Sequence, residues 1–378
     1  MTHFSDFGID PAILRSLEKM GFKTPSLVQS NTLPVIMEGK DLIALAKTGS
    51  GKTAACAIPI CHRVDVHQHA IQALVIVPTR ELALQYAVET QKIGNEKGVK
   101  AFAIYGGEDA SIQQSKLKSG VHVLIATPGR LIDFIYQRLI DLSGVETLVL
   151  DEADEMLGMG FYEDLEFIIQ CLVHSHQTLL FSATMPVQIK KIAKQHMKDP
   201  VEVLLQQQQV SPETIEHKYV YCRREEKDGV LVHLIRELDP KQGIIFCRSR
   251  EEVEKVCRHL KQAFSGIDFL HAGLTQDVRS IITSKFRSGR IRLLVATDVA
   301  ARGLDFSGIT HVFIYHLADD PEIYVHRSGR TGRQERAGVV ITLVTNRELQ
   351  ALSNVLNHIR RKPVWIGNPP PPPRPKKS

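Results

Sequence analysis

The stretch Ala46-Lys47-Thr48-Gly49-Ser50-Gly51-Lys52-Thr53 decides how the rest of this chain reads. An apolar run, Leu42–Ala46, precedes it and predicts a buried strand. Ala54–Ile60 follows with helix-favouring residues, and Pro59 predicts a kink or an end there. Strand, glycine loop and helix form the setting a phosphate-binding loop needs. Gly49 and Gly51 let the backbone wrap an anion, and the loop N–H groups and helix N-terminus point at it. Lys52 is placed to reach β- and γ-phosphates, and the Thr53 hydroxyl to hold Mg²⁺. Ala46 stands where the strict pattern has glycine, and a plain glycine turn before a helix has similar letters.

Working outward, 378 residues are long for one core and comfortable for two. The net charge is +5, and Arg374, Lys376 and Lys377 carry three of those charges at the very end. Any nucleic-acid surface is therefore local rather than global. The six cysteines form no Cys-x-x-Cys pair, and the histidines lack ligand spacing, which argues against a zinc or redox centre. Scattered thiols fit a reducing compartment, the cytoplasm. Met1–Asp10 lacks the order of a secretory signal, and no apolar run approaches ~20 residues, so no membrane is expected.

Helical spacing covers Asp10–Met20 and Ser26–Met37. From Asp41 short apolar runs alternate with helical patterns such as Glu81–Lys92. The strand candidates are Asp41–Ala46, Ala73–Val77, Ala101–Tyr105, Val121–Ala126, Thr147–Asp151, Thr178–Phe181 and Val201–Leu205. That rhythm predicts an α/β fold with a parallel sheet covered on both faces. Residues 206–213, with a glutamine run and Ser-Pro, read as a linker. The rhythm restarts with Ile215–Cys222, Gly243–Cys247, Phe269–Leu270, Arg292–Ala296, His311–Tyr315 and Val339–Val344, and with helices over Arg250–Phe264 and Gln276–Arg287. The expected domains are 1–205 and 214–367, with a disordered, proline-rich basic tail over 368–378.

A phosphate loop needs a carboxylate partner. The run Thr147–Leu150 ends in Asp151-Glu152-Ala153-Asp154. An acid at the end of a buried strand is costly unless it faces a cation or water. Asp151 is placed to hold Mg²⁺, and Glu152 to orient and deprotonate an attacking water. A solvated acidic loop is the plainer alternative.

Asp151–Asp154, with the phosphate loop before it and Ser182-Ala183-Thr184 after it, resembles the DEAD-box ATP-dependent RNA helicases. The resemblance continues in order through Gly21–Gln29, with Phe4 upstream. It then takes in Pro78–Ala83, Gly106-Gly107, Thr127-Pro128-Gly129-Arg130, Gln276 with Arg279, Ala296–Asp305 and His326–Arg333. It spans about residues 4 to 345 and implies two tandem RecA-like domains.

The resemblance also implies roles. ATP is held by Ala46, Lys47, Thr48, Gly49, Ser50, Gly51, Lys52 and Thr53, by Gln29 at the adenine edge, by Phe4 and Phe22 at the base face, and by Asp305 at the ribose. An amide has the donor and the acceptor that an adenine edge requires. Phe4 and Phe22 also suit a core role, Phe22 equally well. Mg²⁺ falls to Thr53 and Asp151; the catalytic set is Lys52, Asp151, Glu152, His326, Arg330 and Arg333. Arginine fingers such as the last two contribute ~10³–10⁵ in rate. Ser182, Thr184, Asp154 and Arg327 are implied in coupling the halves as a cleft closes. RNA falls to Arg80, Gly107, Thr127, Arg130, Gly273, Arg279 and Thr297, small, hydroxyl or arginine residues suited to backbone contacts rather than base readout.

The expected function is an ATP-dependent RNA helicase that binds single-stranded RNA and melts short duplexes. An ATP-gated RNA clamp or assembly platform needs the same residues, and a DNA motor is disfavoured by the Asp-Glu-Ala-Asp and glutamine segments. A monomer is expected, with protein partners through the tail or second domain. Departures from the family pattern are Cys56 at a position where aromatics are frequent, His316 and Ala318 in Tyr315–Ala318, and Ser328.

Overall fold

A computed structural model describes residues 2–46, 49–205, 214–298, 308–332 and 337–371, apart from the side chains at 276 and 277. The chain divides into two compact units, Met1–Gln207 and Gln208–Ser378. The expected linker, 206–213, lies outside the described residues, as do 372–378 of the tail.

Unit 1 opens with helices α1 (Pro11–Lys19) and α2 (Leu27–Met37). Strands and helices then alternate: β1 (Leu42–Leu45), α3 (Lys52–Arg63), β2 (Ala73–Ile76), α4 (Arg80–Gly94), β3 (Ala101–Ile104), α5 (Ala110–Lys118), β4 (Val123–Ala126), α6 (Pro128–Tyr136), β5 (Thr147–Leu150), α7 (Ala153–Gly158), α8 (Tyr162–Gln170), β6 (Gln177–Ser182), α9 (Val187–His196) and β7 (Val201–Leu204). All seven strands are parallel, in the order β3-β4-β2-β5-β6-β1-β7. Every residue of β2, β4, β5 and β6 is buried, which is why these strands read as unbroken apolar runs rather than alternating ones. Successive side chains on such a strand serve two cores. Leu42, Val75 and Val149 pack on one face with α1–α4, while Ile43, Leu74 and Leu148 pack on the other with α6–α9.

Pro59 does not end its helix. The helix runs Lys52–Arg63, with Ala54 through Cys61 all buried. Packing against α2 and α4 holds the turn that a proline would loosen in an isolated peptide.

Unit 2 repeats the plan with β8 (Ile215–Tyr221), α10 (Lys227–Leu238), β9 (Gly243–Phe246), α11 (Arg250–Lys261), β10 (Ile267–Leu270), α12 (Gln276–Arg287), β11 (Leu293–Ala296), β12 (His311–Ile314), a helix over Pro321–Ser328, β13 (Gly338–Val344), a helix over Leu349–Ile359, and β14 (Val364–Trp365). The sheet order β10-β11-β9-β12-β13-β8-β14 matches unit 1 strand for strand. The β14 strand, unforeseen in the sequence, occupies the place of β7: both lie parallel to their unit's first strand at the sheet margin. Among the described residues no helix is long and apolar enough to cross a membrane.

One buried ion pair ties unit 2 together. Lys227 Nζ donates to Glu348 at 3.0 and 3.2 Å and to the Tyr315 carbonyl at 2.6 Å. Glu348 also accepts from the N–H groups of Leu317 and Thr345 and from the Thr345 hydroxyl. Burial raises the Glu348 carboxyl, but Lys227 and Thr345 outweigh it and hold the group below its ordinary range. A depressed folded pKa gives stability that is present above the unfolded value, about 4.3, and is lost as pH falls through the folded one. Glu348→Ala, which leaves a buried ammonium unpaired, is expected to cost about 3–5 kcal/mol. Calorimetry at pH 7 should show one transition falling by roughly 6–20 °C, with the gap to wild type narrowing below pH 4.

Candidate functional site

Sheet order sorts the candidate residues of unit 1 into two groups. Strands β1, β6 and β5 are neighbours, so the phosphate loop after β1, Ser182 at the end of β6 and Asp151 after β5 come together. Strands β3, β4 and β2 form the other half of the sheet, and Gly107, Thr127, Arg130 and Arg80 follow them. In the chain these groups interleave. The crossovers separate them along the carboxyl edge, where open parallel sheets bind ligands.

In the first group, Gly49 and Gly51 have φ of 81° and 95°, the left-handed region that glycine adopts without penalty. Gly51 caps α3, whose first residues are Lys52 and Thr53. A Cβ on Gly51 would lie 2.8 Å from Gln29 Nε2 and 3.0 Å from Ser26 Oγ. Those two side chains clasp the loop: Ser26 Oγ donates to the Ser50 carbonyl at 2.9 Å and Gln29 Nε2 to the Gly51 carbonyl at 3.2 Å. The Gln29 Oε1 accepts from the Ser26 N–H at 2.8 Å as part of the α2 capping box. These bonds use one N–H and one lone pair of the amide, and leave one of each for an adenine edge. Phe4 is buried in the core and meets the partly buried Phe22 edge-on at 6.0 Å. Lys47 and Thr48 lie outside the described residues.

Lys52 is buried, with Nζ 3.3 Å from the Ala46 carbonyl and 3.6 Å from Asp151 Oδ1. Burial opposes its charge, yet Asp151, Glu152 and Asp154 outweigh that and lift its pKa above the ordinary value. Asp151 and Glu152 are themselves buried, and Asp151 Oδ1 accepts the Glu152 N–H at 2.8 Å. Glu152 has φ 54°, a left-handed conformation that costs a non-glycine residue about 1–3 kcal/mol. Asp154 joins this group to β6: its Oδ2 accepts from Thr184 N–H and Oγ1 at 2.9 and 3.0 Å, and its own N–H donates to Ser182 Oγ at 3.3 Å. Asp154 Oδ1 is buried without a hydrogen-bond partner.

For a cation, the Thr53 hydroxyl and Asp151 carboxylate are hard oxygen donors, as Mg²⁺ requires. Among the described residues no group of three or more His, Cys, Asp or Glu forms a protein-only cage. That donor set suits an ion shared with phosphates.

In the second group, the Arg80 guanidinium lies 4.5 Å over the Tyr105 ring and its buried Nε has no partner. Arg130 donates to Gln113 Oε1 at 3.3 Å and to the Glu108 carbonyl at 2.8 Å. Thr127 is the N-cap position of α6, and Gly107 has φ 82°.

Unit 2 carries its candidates in the same places. Gly273 and Arg279 follow β10, and Thr297 follows β11, its N–H donating to the Leu270 carbonyl. His326 and Arg327 lie in the helix Pro321–Ser328, after β12, and Arg330 is buried just beyond it. Arg327 makes a two-pronged pair with Asp298, at 2.6 and 2.8 Å, and a further bond to the His316 carbonyl. His316 Nδ1 is 3.3 Å from Glu348, and burial lowers its pKa. Ser328 Oγ donates to the Val325 carbonyl at 2.9 Å. Two of the four departures from the family pattern, His316 and Ser328, thus make bonds within unit 2. Asp305 and Arg333 lie outside the described residues.

Three features escaped the sequence. The Ser26 clasp was signalled by its capping-box spacing to Gln29. No letter announces the φ of Glu152. The Asp298–Arg327 pair joins residues 29 apart, too far for local pattern to show.

Residues 26–192 match the family model described as DEAD/DEAH box helicase, and residues 226–335 match that described as helicase conserved C-terminal domain. The chain is 43% identical over 362 residues to DEAD-box ATP-dependent RNA helicase CshA of Bacillus cereus, covering 96% of this chain and 69% of that one. It is also 43% identical over 371 residues to ATP-dependent RNA helicase CshA of Listeria monocytogenes, covering 97% and 71%. Among solved structures, S. cerevisiae Dbp5 bound to RNA and ADP BeF3 superposes with TM-score 0.88 at 28% identity, covering 97% of this chain and 96% of that one. Mss116p bound to ssRNA and AMP-PNP gives 0.87 at 29%, covering 97% and 79%. Each unit's parallel sheet is accordingly a RecA-like domain.

Gly51→Ala should damage the phosphate loop twice, through its positive φ and through the Gln29 amide that the new methyl would meet. Thermal unfolding is expected to show a loss of about 1–3 kcal/mol. Titration with a fluorescent ATP analogue should show affinity falling at least tenfold; an unchanged affinity would contradict the clasp.

Proposed function

The chain belongs to the DEAD-box ATP-dependent RNA helicase family, and we propose that it binds single-stranded RNA and uses ATP hydrolysis to melt short RNA duplexes locally. The observation that carries this reading is the buried group Lys52, Asp151 and Glu152 after β1 and β5, the two strands that flank β6, beside a glycine loop with two positive φ angles.

In this reading the loop N–H groups and Lys52 bind the β- and γ-phosphates, and the unused donor and acceptor of Gln29 take the adenine edge. Phe4 and Phe22 wall the base, and Asp305 takes the ribose. Thr53 and Asp151 would hold Mg²⁺, which supplies charge neutralisation at the phosphates. Glu152, fixed by its strained backbone, orients a water and accepts its proton. Arg330 and Arg333, with His326, stabilise charge developing on the γ-phosphate. These three come from unit 2, and Asp154, Thr184, Ser182 and Arg327 would couple hydrolysis to RNA binding.

RNA falls to the other half of each sheet's carboxyl edge: Arg80, Gly107, Thr127 and Arg130 in unit 1, and Gly273, Arg279 and Thr297 in unit 2. These are phosphate and sugar contacts, so binding is largely independent of sequence. A base-pair step is worth about 1.4 kcal/mol on the DNA scale, so a conformational step of several kcal/mol displaces only a few pairs. We take the cytoplasm as its compartment, because all six cysteines are free thiols.

Glu152→Gln is expected to bind ATP and RNA as wild type does while turnover falls at least 10²-fold, the range of a lost general base; full ATPase activity would refute its role. Lys52→Ala should lose tight nucleotide binding in the same titration. Strand displacement from a short RNA duplex tests the activity itself: ATP-dependent release is expected, and RNA protection without release would indicate a clamp.

A further inference from the structure

We propose that Gln113 is a positioning residue for RNA binding, which acts with Tyr105 and Glu108 to hold the Arg80 and Arg130 guanidiniums in the geometry that grips a phosphate. The inference rests on the reading of those two arginines as RNA contacts, and extends it to residues that touch no RNA themselves.

Helix α5 is largely exposed, and its one fully buried side chain is an amide. A helix that needed only an anchor would bury leucine or isoleucine at that position, because an amide out of water is costly unless it is bonded. Gln113 is bonded at every site it has. Its Oε1 accepts from the Tyr105 N–H and from Arg130 Nη1, both at 3.3 Å. Its Nε2 donates to the Tyr105 carbonyl at 3.1 Å and to Glu108 Oε2 at 2.9 Å. Two lone pairs and two N–H groups exhaust the amide.

The residues it binds are those that orient the arginines. Tyr105 follows β3, the margin strand of its sheet, so its backbone has no further strand to pair with; Gln113 takes that place. With its backbone fixed, Tyr105 presents its ring to Arg80 at 4.5 Å. Glu108 gives its carbonyl to Arg130 Nη2 at 2.8 Å. Its carboxylate is held below the ordinary range first by the Gln113 amide and then by Tyr105, so it stays charged and keeps its bond. One amide therefore sets both guanidiniums. An arginine held in place loses less rotamer freedom when a phosphate arrives, which favours affinity.

The test uses the full chain and a labelled single-stranded RNA oligonucleotide, read by anisotropy, with a fluorescent ATP analogue titrated in parallel. Gln113→Leu removes all four bonds, and its RNA dissociation constant is expected to rise about tenfold. Gln113→Glu sets a carboxylate against Glu108 and should weaken RNA at least as much. The double variant Gln113→Glu, Glu108→Gln restores a donor–acceptor pair between the two side chains, though not the bond to the Tyr105 carbonyl, and is expected to recover part of the loss relative to Gln113→Glu. A purely structural defect would not be mended by exchanging amide and acid. Should Gln113→Leu also lose nucleotide binding, the Gln113→Glu single and double variants decide the matter. Arg80→Ala and Arg130→Ala are measured alongside. If they weaken RNA while the Gln113 variants do not, or if the double variant recovers nothing, the inference fails and the RNA assignment stands. If the arginine variants leave RNA affinity unchanged, the RNA assignment itself fails, and the inference with it.

Discussion

A lysine buried against a carboxylate, Lys52 facing Asp151 with the buried Glu152 beside it, is the constraint on which the arrangement of unit 1 depends. Such groups are expensive to take out of water, and tolerable only when each faces an opposite charge or a ligand. Lys52 meets Asp151 at 3.6 Å, and neither could move far without leaving the other uncompensated. That mutual requirement dictates where the strands end. The strand β1 must deliver a glycine loop, β5 must deliver an acid, and β6 must lie between them. The left-handed backbone at Glu152 is a further cost that the surrounding packing absorbs.

The second consequence of sheet order is separation. One half of the carboxyl edge gathers the glycine loop, Lys52 and acidic groups, and the other half gathers arginines, hydroxyls and glycines. Asp154 reaches across from the acidic helix to Thr184, so the end of β6 is tied to the carboxylate segment rather than left to vary. Unit 2 has the same strand order but no phosphate loop. The loop's place after the first strand is taken there by the segment leading into α10, and the helix Pro321–Ser328, which follows β12 as the acidic helix follows β5, is pinned by the Arg327–Asp298 pair. Two copies of one topology therefore do different work because different side chains stand at equivalent strand ends.

Most of this was legible in the letters. Buried parallel strands announce themselves as short apolar runs, and Gly49, Gly51, Lys52 and Asp151 are read directly from phosphate chemistry. The shortfalls have physical causes. Two residues are too few for β14 to show a period, and Asp268 broke the apolar run that would have started β10 at Ile267. Pro59 carries a strong local preference that the packing of α3 overrides. Gln113 sits in a polar helical stretch where a surface glutamine would look the same, and only its burial reveals four bonds. Ser26 was within reach, since its spacing to Gln29 is that of a capping box. Conformation and burial, rather than residue type, are what the string of letters withholds.

The account's central claim is that a carboxylate–lysine site on one half of the sheet edge is driven by RNA on the other half. The most direct measurement is the steady-state ATPase rate of the full chain against increasing single-stranded RNA, with a DNA strand of the same sequence as control. The account predicts slow hydrolysis alone, saturable stimulation by RNA, and little or none by DNA. Hydrolysis at one rate whatever strand is added would contradict it.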